Sequence, residues 1–264
     1  MLVRRTLQQI DKTFVFLKSK LNYIVIGKGK AIILLHGSMI ADPWSGFEKE
    51  LSMHYKVYLL HLPGFGASEC VGNKLHNSDL FASALSAFIK YEKLEQVPII
   101  ALSLGTVVTI KAMVNNKLIN KLILVGTPVG IQSEKLNSAS RIPVWIRRLV
   151  GSTVIGRSKI LIPVLRDIIG KTDNKSDIGL LKDLQTTDTK SLVDIDVYSE
   201  VELQISGLLK QLKNEAYFIY GTKDKLLEKS KHLILKPILI ENADHNTFAS
   251  QPKKTLYMIQ SILQ

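Results

Sequence analysis

Residues 97 to 106, Val-Pro-Ile-Ile-Ala-Leu-Ser-Leu-Gly-Thr, constrain the fold of this chain more than any other stretch. A continuous apolar run such as Val97 to Leu102 suits a strand of a parallel sheet, which is covered on both faces. The run breaks into small-x-Ser-x-Gly, which places Ser103 where a strand turns abruptly into a helix. Such a turn crowds the backbone unless its flanks are small, as Ala101 and Gly105 are. A serine there projects from the carboxyl edge of the sheet. The backbone N–H of Leu104, at the helix start, points into the same space and can stabilise an oxyanion. On the pentapeptide alone, a tight turn with no chemistry is the competing reading.

More polar residues recur at the same edge. The run 31–35, Ala-Ile-Ile-Leu-Leu, reads as a strand that ends in His36-Gly37-Ser38. The glycine lets the backbone pass close to a reacting centre, and the N–H of Ser38 is the natural second oxyanion donor beside Leu104. Two donors aimed at one oxygen stabilise a tetrahedral state by several kcal/mol. The strand 56–60 runs into His61-Leu62-Pro63-Gly64-Phe65-Gly66-Ala67-Ser68, a rigid glycine-rich loop. Near the C-terminal end, a strand at 216–220 leads to Gly221-Thr222-Lys223-Asp224, and one at 237–240 to Glu241-Asn242-Ala243-Asp244-His245. Taken alone, Asp224 reads as a loop-capping aspartate and His245 as a surface histidine. Taken with Ser103, they put a serine, an acid and a histidine just past the ends of strands, where open α/β sheets bind ligands.

On these motifs the chain resembles the α/β-hydrolase superfamily, of the single-domain type with a helical cap, from about Leu21 to the C-terminus. The resemblance implies an α/β fold with a mostly parallel eight-stranded sheet flanked by helices. It implies Ser103 as nucleophile, His245 as general base, Asp224 as the acid that orients it, and Ser38 and Leu104 as backbone oxyanion donors, with no cofactor and no metal. Three positions depart from the common pattern. Ala101 stands where glycine is usual, a mild steric change. His61 stands where aspartate is usual, in a place the family uses to brace a loop, and we read it as structural. Asp244 stands where glycine usually precedes the histidine, and a carboxylate there would raise the histidine's pKa. Haloalkane dehalogenases and epoxide hydrolases use an aspartate at the elbow, so Ser103 sets those activities aside in favour of an acyl-enzyme.

Alternating short strands and periodic helices organise the rest. Strands are expected at 13–18, 21–26, 31–35, 56–60, 97–102, 120–125, 216–220 and 236–240, and helices at 43–54, 78–94, 104–116, 201–213 and 251–263. Between 130 and 199 no strand pattern occurs, and there the family inserts its cap; residues 1–129 and 200–264 then form the core. The inserted stretch is both basic and apolar, mixing Arg141, Arg147, Arg148, Arg157, Lys159 and Arg166 with Ile142, Trp145, Ile146, Leu149, Ile160 and Leu161. One reading makes it the underside of the cap with a solvated outer face. The other makes it an acyl-chain tunnel under a basic surface, and the net charge of +12 favours attraction to an anionic partner or lipid surface. Trp145 is the one aromatic among these basic residues, so no array of stacking aromatics interleaves them, which argues against nucleic acid.

No run reaches the roughly 18 apolar residues of a membrane helix, and the basic N-terminal residues lead into Asp11-Lys12 without the apolar core of a signal peptide. The lone Cys70 cannot form an internal disulfide, so a cytoplasmic setting is expected. The motifs and the resemblance they carry imply a serine esterase acting on a small-molecule carboxylic ester. A thioesterase or acyl-carrier-protein methyl ester esterase is the alternative. A silent ligand- or lipid-binding protein on the same fold is the alternative from another class.

Overall fold

In the computed structural model, residues 8–38, 41–114, 116–128, 188, 205, 207–210, 215–230 and 236–264 are described. They form one eight-stranded sheet: β1 (Ile10–Phe16), β2 (Ser19–Ile26), β3 (Ala31–Leu35), β4 (Lys56–Leu60), β5 (Val97–Leu102), β6 (Ile119–Val125), β7 (Glu215–Gly221) and β8 (Ile238–Ile240). The spatial order is β1-β2-β4-β3-β5-β6-β7-β8. β2 runs antiparallel to both β1 and β4, and every pair from β4 to β8 is parallel. The described helices are α1 (Phe47–Leu51), α2 (Ser78–Tyr91), α3 (Leu104–Val114), α4 (Lys225–Ser230), α5 (Thr247–Ser250) and α6 (Pro252–Leu263).

Period-two alternation along uniformly apolar strands builds two cores at once. Ile33, Leu35, Ile99, Ala101, Leu122 and Leu124 face one side, where Phe81, Leu85 and Phe88 of α2 and Val107 and Ile110 of α3 cover them. Ile32, Leu34, Ile100, Leu102, Ile123 and Val125 face the other, under Phe47 and Leu51 of α1 and Ile259 and Ile262 of α6. α3 packs against both β5 and α2 and is buried at nearly every position, which explains why its sequence is apolar all round instead of striped.

The elements match the sequence reading with shifts at their ends. β1 is centred earlier than 13–18, β8 is shorter than 236–240, and the helix expected at 43–54 is confined to α1. α2 takes its N-cap from Asn77, whose side chain accepts the Leu80 N–H at 3.0 Å. Helices α4 and α5 were not anticipated; each is a short turn directly after a strand-end loop. Of the helix expected at 201–213, residues 205 and 207–209 are helical among those described. The expected cap, 130–199, lies outside the described residues except for Asp188, whose N–H donates to the Gly64 carbonyl at 2.7 Å. No helix among the described residues is long and apolar enough to cross a membrane.

Strand order also locates the crevice. From β3 the chain crosses to β4 on one side, and from β5 to β6 on the other. The loops after β3 and β5 therefore diverge, and the gap between them is the topological switch point where such sheets bind ligands. Ser38 follows β3 and Leu104 follows β5.

Candidate active site

Ser103 occupies the turn between β5 and α3 with φ 51°, the left-handed region that costs a non-glycine residue about 1–2 kcal/mol. Several contacts hold it there. Its N–H donates to the Val125 carbonyl at 2.9 Å, while its own carbonyl accepts from the Thr106 N–H at 2.9 Å and hydroxyl at 2.6 Å. The turn also needs room. A Cβ on Gly105 would lie 2.5 Å from the Leu35 and His36 carbonyl oxygens, so only glycine lets α3 start so close to the end of β3. From the other side, a Cβ on Gly37 would stand 3.1 Å from the Ser103 Cβ. The loop carrying Ser38 thus passes directly beside the serine.

Asp224 and His245, extending from β7 and β8, meet here. His245 Nδ1 lies 2.9 Å from Asp224 Oδ2, with both side chains buried. The remaining carboxylate oxygen, Oδ1, accepts the Leu226 N–H at 2.9 Å, which fixes the acid in its loop. Asp244 is half-buried and does not compete for Nδ1; its N–H donates to the Ser250 hydroxyl. Neither Asp224 nor His245 is the exposed residue that each would be on its own. With Nδ1 given to Asp224, Nε2 is the ring nitrogen that this pair leaves uncommitted.

The histidine and the serine share a neighbour. The His245 ring lies over Gly126, where a Cβ would come within 2.7 Å of Cε1, and Gly126 directly follows the residue whose carbonyl holds the Ser103 amide. Among the described residues no hydrogen bond joins the Ser103 hydroxyl to His245, a bond that in unliganded sites often tightens only when substrate arrives. A glycine directly after the strand at 120–125 was the visible signal for this contact. The sequence pattern by itself gives that glycine no role.

His36 also has a function not drawn from the sequence. It is fully enclosed, and its two ring nitrogens have opposite partners: Nδ1–H donates to the Gly37 carbonyl at 2.6 Å, and Nε2 accepts the Leu62 N–H at 3.0 Å. These partners fix the neutral tautomer. Burial, reinforced by the electrostatic influence of nearby His61, lowers the His36 pKa to about 3. In a trans peptide the C=O and the following N–H point in opposite directions, so the bond to the Gly37 carbonyl aims the Ser38 N–H away from the imidazole. His61 braces the 62–68 loop as expected. Its Nδ1 accepts the Ala67 N–H at 3.4 Å and its carbonyl accepts the Ser68 hydroxyl at 2.8 Å, while Nε2 lies 3.7 Å from the Asp42 carboxylate.

No family model matches the chain. It is 31% identical over 118 residues to 2-hydroxy-6-oxononadienedioate/2-hydroxy-6-oxononatrienedioate hydrolase 2 of Pseudomonas putida, a match spanning 42% of this chain and 41% of that protein. It is 23% identical over 250 residues to the pimeloyl-[acyl-carrier protein] methyl ester esterase of Aeromonas hydrophila subsp. hydrophila, covering 89% of this chain and 95% of that one. Among solved structures, an N-acyl homoserine lactonase complexed with N-hexanoyl homoserine superimposes with a TM-score of 0.76 at 14% identity, covering 97% of this chain and 96% of the other. A bromoperoxidase from Bacillus anthracis does so at 0.76 and 18%, covering 96% and 99%. The chain has the α/β-hydrolase fold.

Proposed function

We propose that this chain is a serine hydrolase that cleaves carboxylic esters through an acyl-enzyme. The observation that carries the reading is the buried Asp224–His245 pair at 2.9 Å, seated over Gly126 beside the turn that presents Ser103. In this mechanism His245 Nε2 takes the Ser103 proton as the hydroxyl oxygen attacks the acyl carbon. Asp224 holds the imidazole in the required tautomer and stabilises the imidazolium. The N–H groups of Ser38 and Leu104 receive the oxyanion. The alcohol leaves with the proton, and water activated by His245 releases the acid.

A fluorophosphonate probe tests the reading, because an activated serine is phosphonylated where ordinary serines are inert. Labelling is expected on Ser103, together with turnover of p-nitrophenyl esters that Ser103→Ala abolishes. Asp224→Asn is expected to lower kcat by about 10³- to 10⁴-fold through the wrong histidine tautomer. No labelling of folded protein would overturn the hydrolase and favour a silent binding protein on the same fold.

A second reading has its own support. The near full-length likeness to an acyl-carrier-protein methyl ester esterase and the net charge of +12 favour an ester or thioester borne on an anionic carrier, recruited by the basic insertion. Parallel turnover of free and carrier-bound acyl esters separates the two. The cytoplasmic setting that belongs to this proposal rests on the single cysteine.

A further inference from the structure

Asn246, next to the proposed base, is itself buried, with 3% of its surface exposed. Its side-chain amide donates to the Pro43 carbonyl at 3.1 Å. Pro43 lies on the stretch between Ser38 and α1. Beside it, Trp44 packs edge-on against Phe248 with ring centroids 5.1 Å apart, and Phe47 closes on the same ring at 4.8 Å. At its other end Asn246 is anchored in the first turn of α5, where its carbonyl accepts from the N–H groups of Ala249 and Ser250 and from the Ser250 hydroxyl.

Sheet topology gives this contact its weight. β3, which delivers Ser38, and β8, which delivers His245, are separated by β5, β6 and β7, so no ladder hydrogen bond sets the distance between their loops. Packing alone would not favour an asparagine here. Its Oδ1 is buried without a hydrogen-bond partner, a cost that an apolar residue of similar size avoids. The amide is tolerated for its one donor bond.

We propose that Asn246 is a positioning residue: it ties the loop carrying the base to the loop carrying the Ser38 oxyanion donor, holding proton acceptor and oxyanion hole at a fixed separation. The proposal rests on the hydrolase reading above. A misplacement of about 1 Å between such groups costs on the order of 100-fold in rate, whereas substrate binding remote from them is little affected.

Asn246→Asp removes the donor at constant shape. It is expected to lower kcat on p-nitrophenyl esters by about 10- to 100-fold with KM within about two-fold, and to speed backbone hydrogen exchange across 41–47. Phe88→Leu, in the opposite core, serves as the control: at comparable loss of thermal stability it should leave both readouts near wild type. If Asn246→Asp does not fold, Asn246→Ala removes the same donor without adding charge. A kcat within about two-fold of wild type, or a loss no greater than that of the control, overturns the proposal. Failure of the hydrolase reading shows differently, as wild-type turnover independent of Ser103; exchange across 41–47 then decides the clasp alone, and an unchanged rate overturns it.

Discussion

Acid should unfold this protein through His36. In the native state its Nε2 accepts from Leu62 and burial holds the pKa at about 3, whereas in the unfolded chain an ordinary histidine titrates near 6.5. A histidine whose folded pKa is depressed contributes stability that is fully present above the unfolded value. That stability is lost as pH falls, here across the window from about 6.5 to about 3. The unfolded state takes up the proton that the native state refuses, and the slope is about 1.4 kcal/mol per pH unit for one such group. The loss attributable to His36 is then ~2 kcal/mol at about pH 5 and approaches ~5 kcal/mol at the foot of the window, against total stabilities of roughly 5–15 kcal/mol.

Urea denaturation of wild type and His36→Asn at about pH 7.5 and about pH 5 measures it. Every other ionisable group is common to both proteins, so the difference between the two pH dependences isolates this one group. Wild type is expected to lose ~2 kcal/mol more than the variant over that interval, although the variant starts from lower stability because the imidazole bonds to Gly37 and Leu62 are gone. Parallel curves would mean that His36 takes up its proton alike in folded and unfolded chains, which is incompatible with the neutral tautomer that aims the Ser38 amide.

Ser103 pays for its left-handed backbone with any side chain, so Ser103→Gly should melt above Ser103→Ala by the equivalent of ~1 kcal/mol while both are inactive; an alanine variant at least as stable would show the turn to be unstrained. Gly126→Ala places a methyl 2.7 Å from the His245 ring at a positive φ, and is expected to cut kcat on p-nitrophenyl butyrate by at least about ten-fold; unchanged turnover would mean that His245 works from another position. Changing Arg147, Arg148 and Arg157 together to Gln should raise KM for a carrier-bound or micellar anionic ester and leave a small neutral ester untouched, with the difference shrinking as added salt shortens the screening length from ~10 Å at 0.1 M towards ~3 Å at 1 M; equal losses on both substrates would remove the anionic partner from the second reading.

The legible and illegible parts of this site differ in kind. Ser103, Asp224 and His245 could be read because each follows an apolar run, and strand ends in a parallel sheet converge on one edge whatever the register of pairing. The central strands β3, β4 and β5 were placed to the residue for a related reason: buried on both faces, they are continuous apolar blocks with abrupt polar ends. β1 and β8 lie at the sheet's edges, where one side of the strand has no partner and exposed positions such as Val15 and Leu239 blur the pattern. Their ends are accordingly less legible in the sequence.

The remaining features depend on what lies opposite a residue, which no local pattern encodes. Gly126 reads as loop punctuation until the His245 ring is seen above it. His36 was visible in its motif, but its work depends on Leu62, brought to it by the pairing of β3 with β4. Asn246 is the clearest instance, since its amide reaches a carbonyl 203 residues away, between loops whose strands never touch. Sequence periodicity fixes which edge carries the chemistry. Under the proposed mechanism the separation of His245 from Ser38 is held by the Asn246–Pro43 hydrogen bond across that edge, and there one substitution should alter rate with little change in fold.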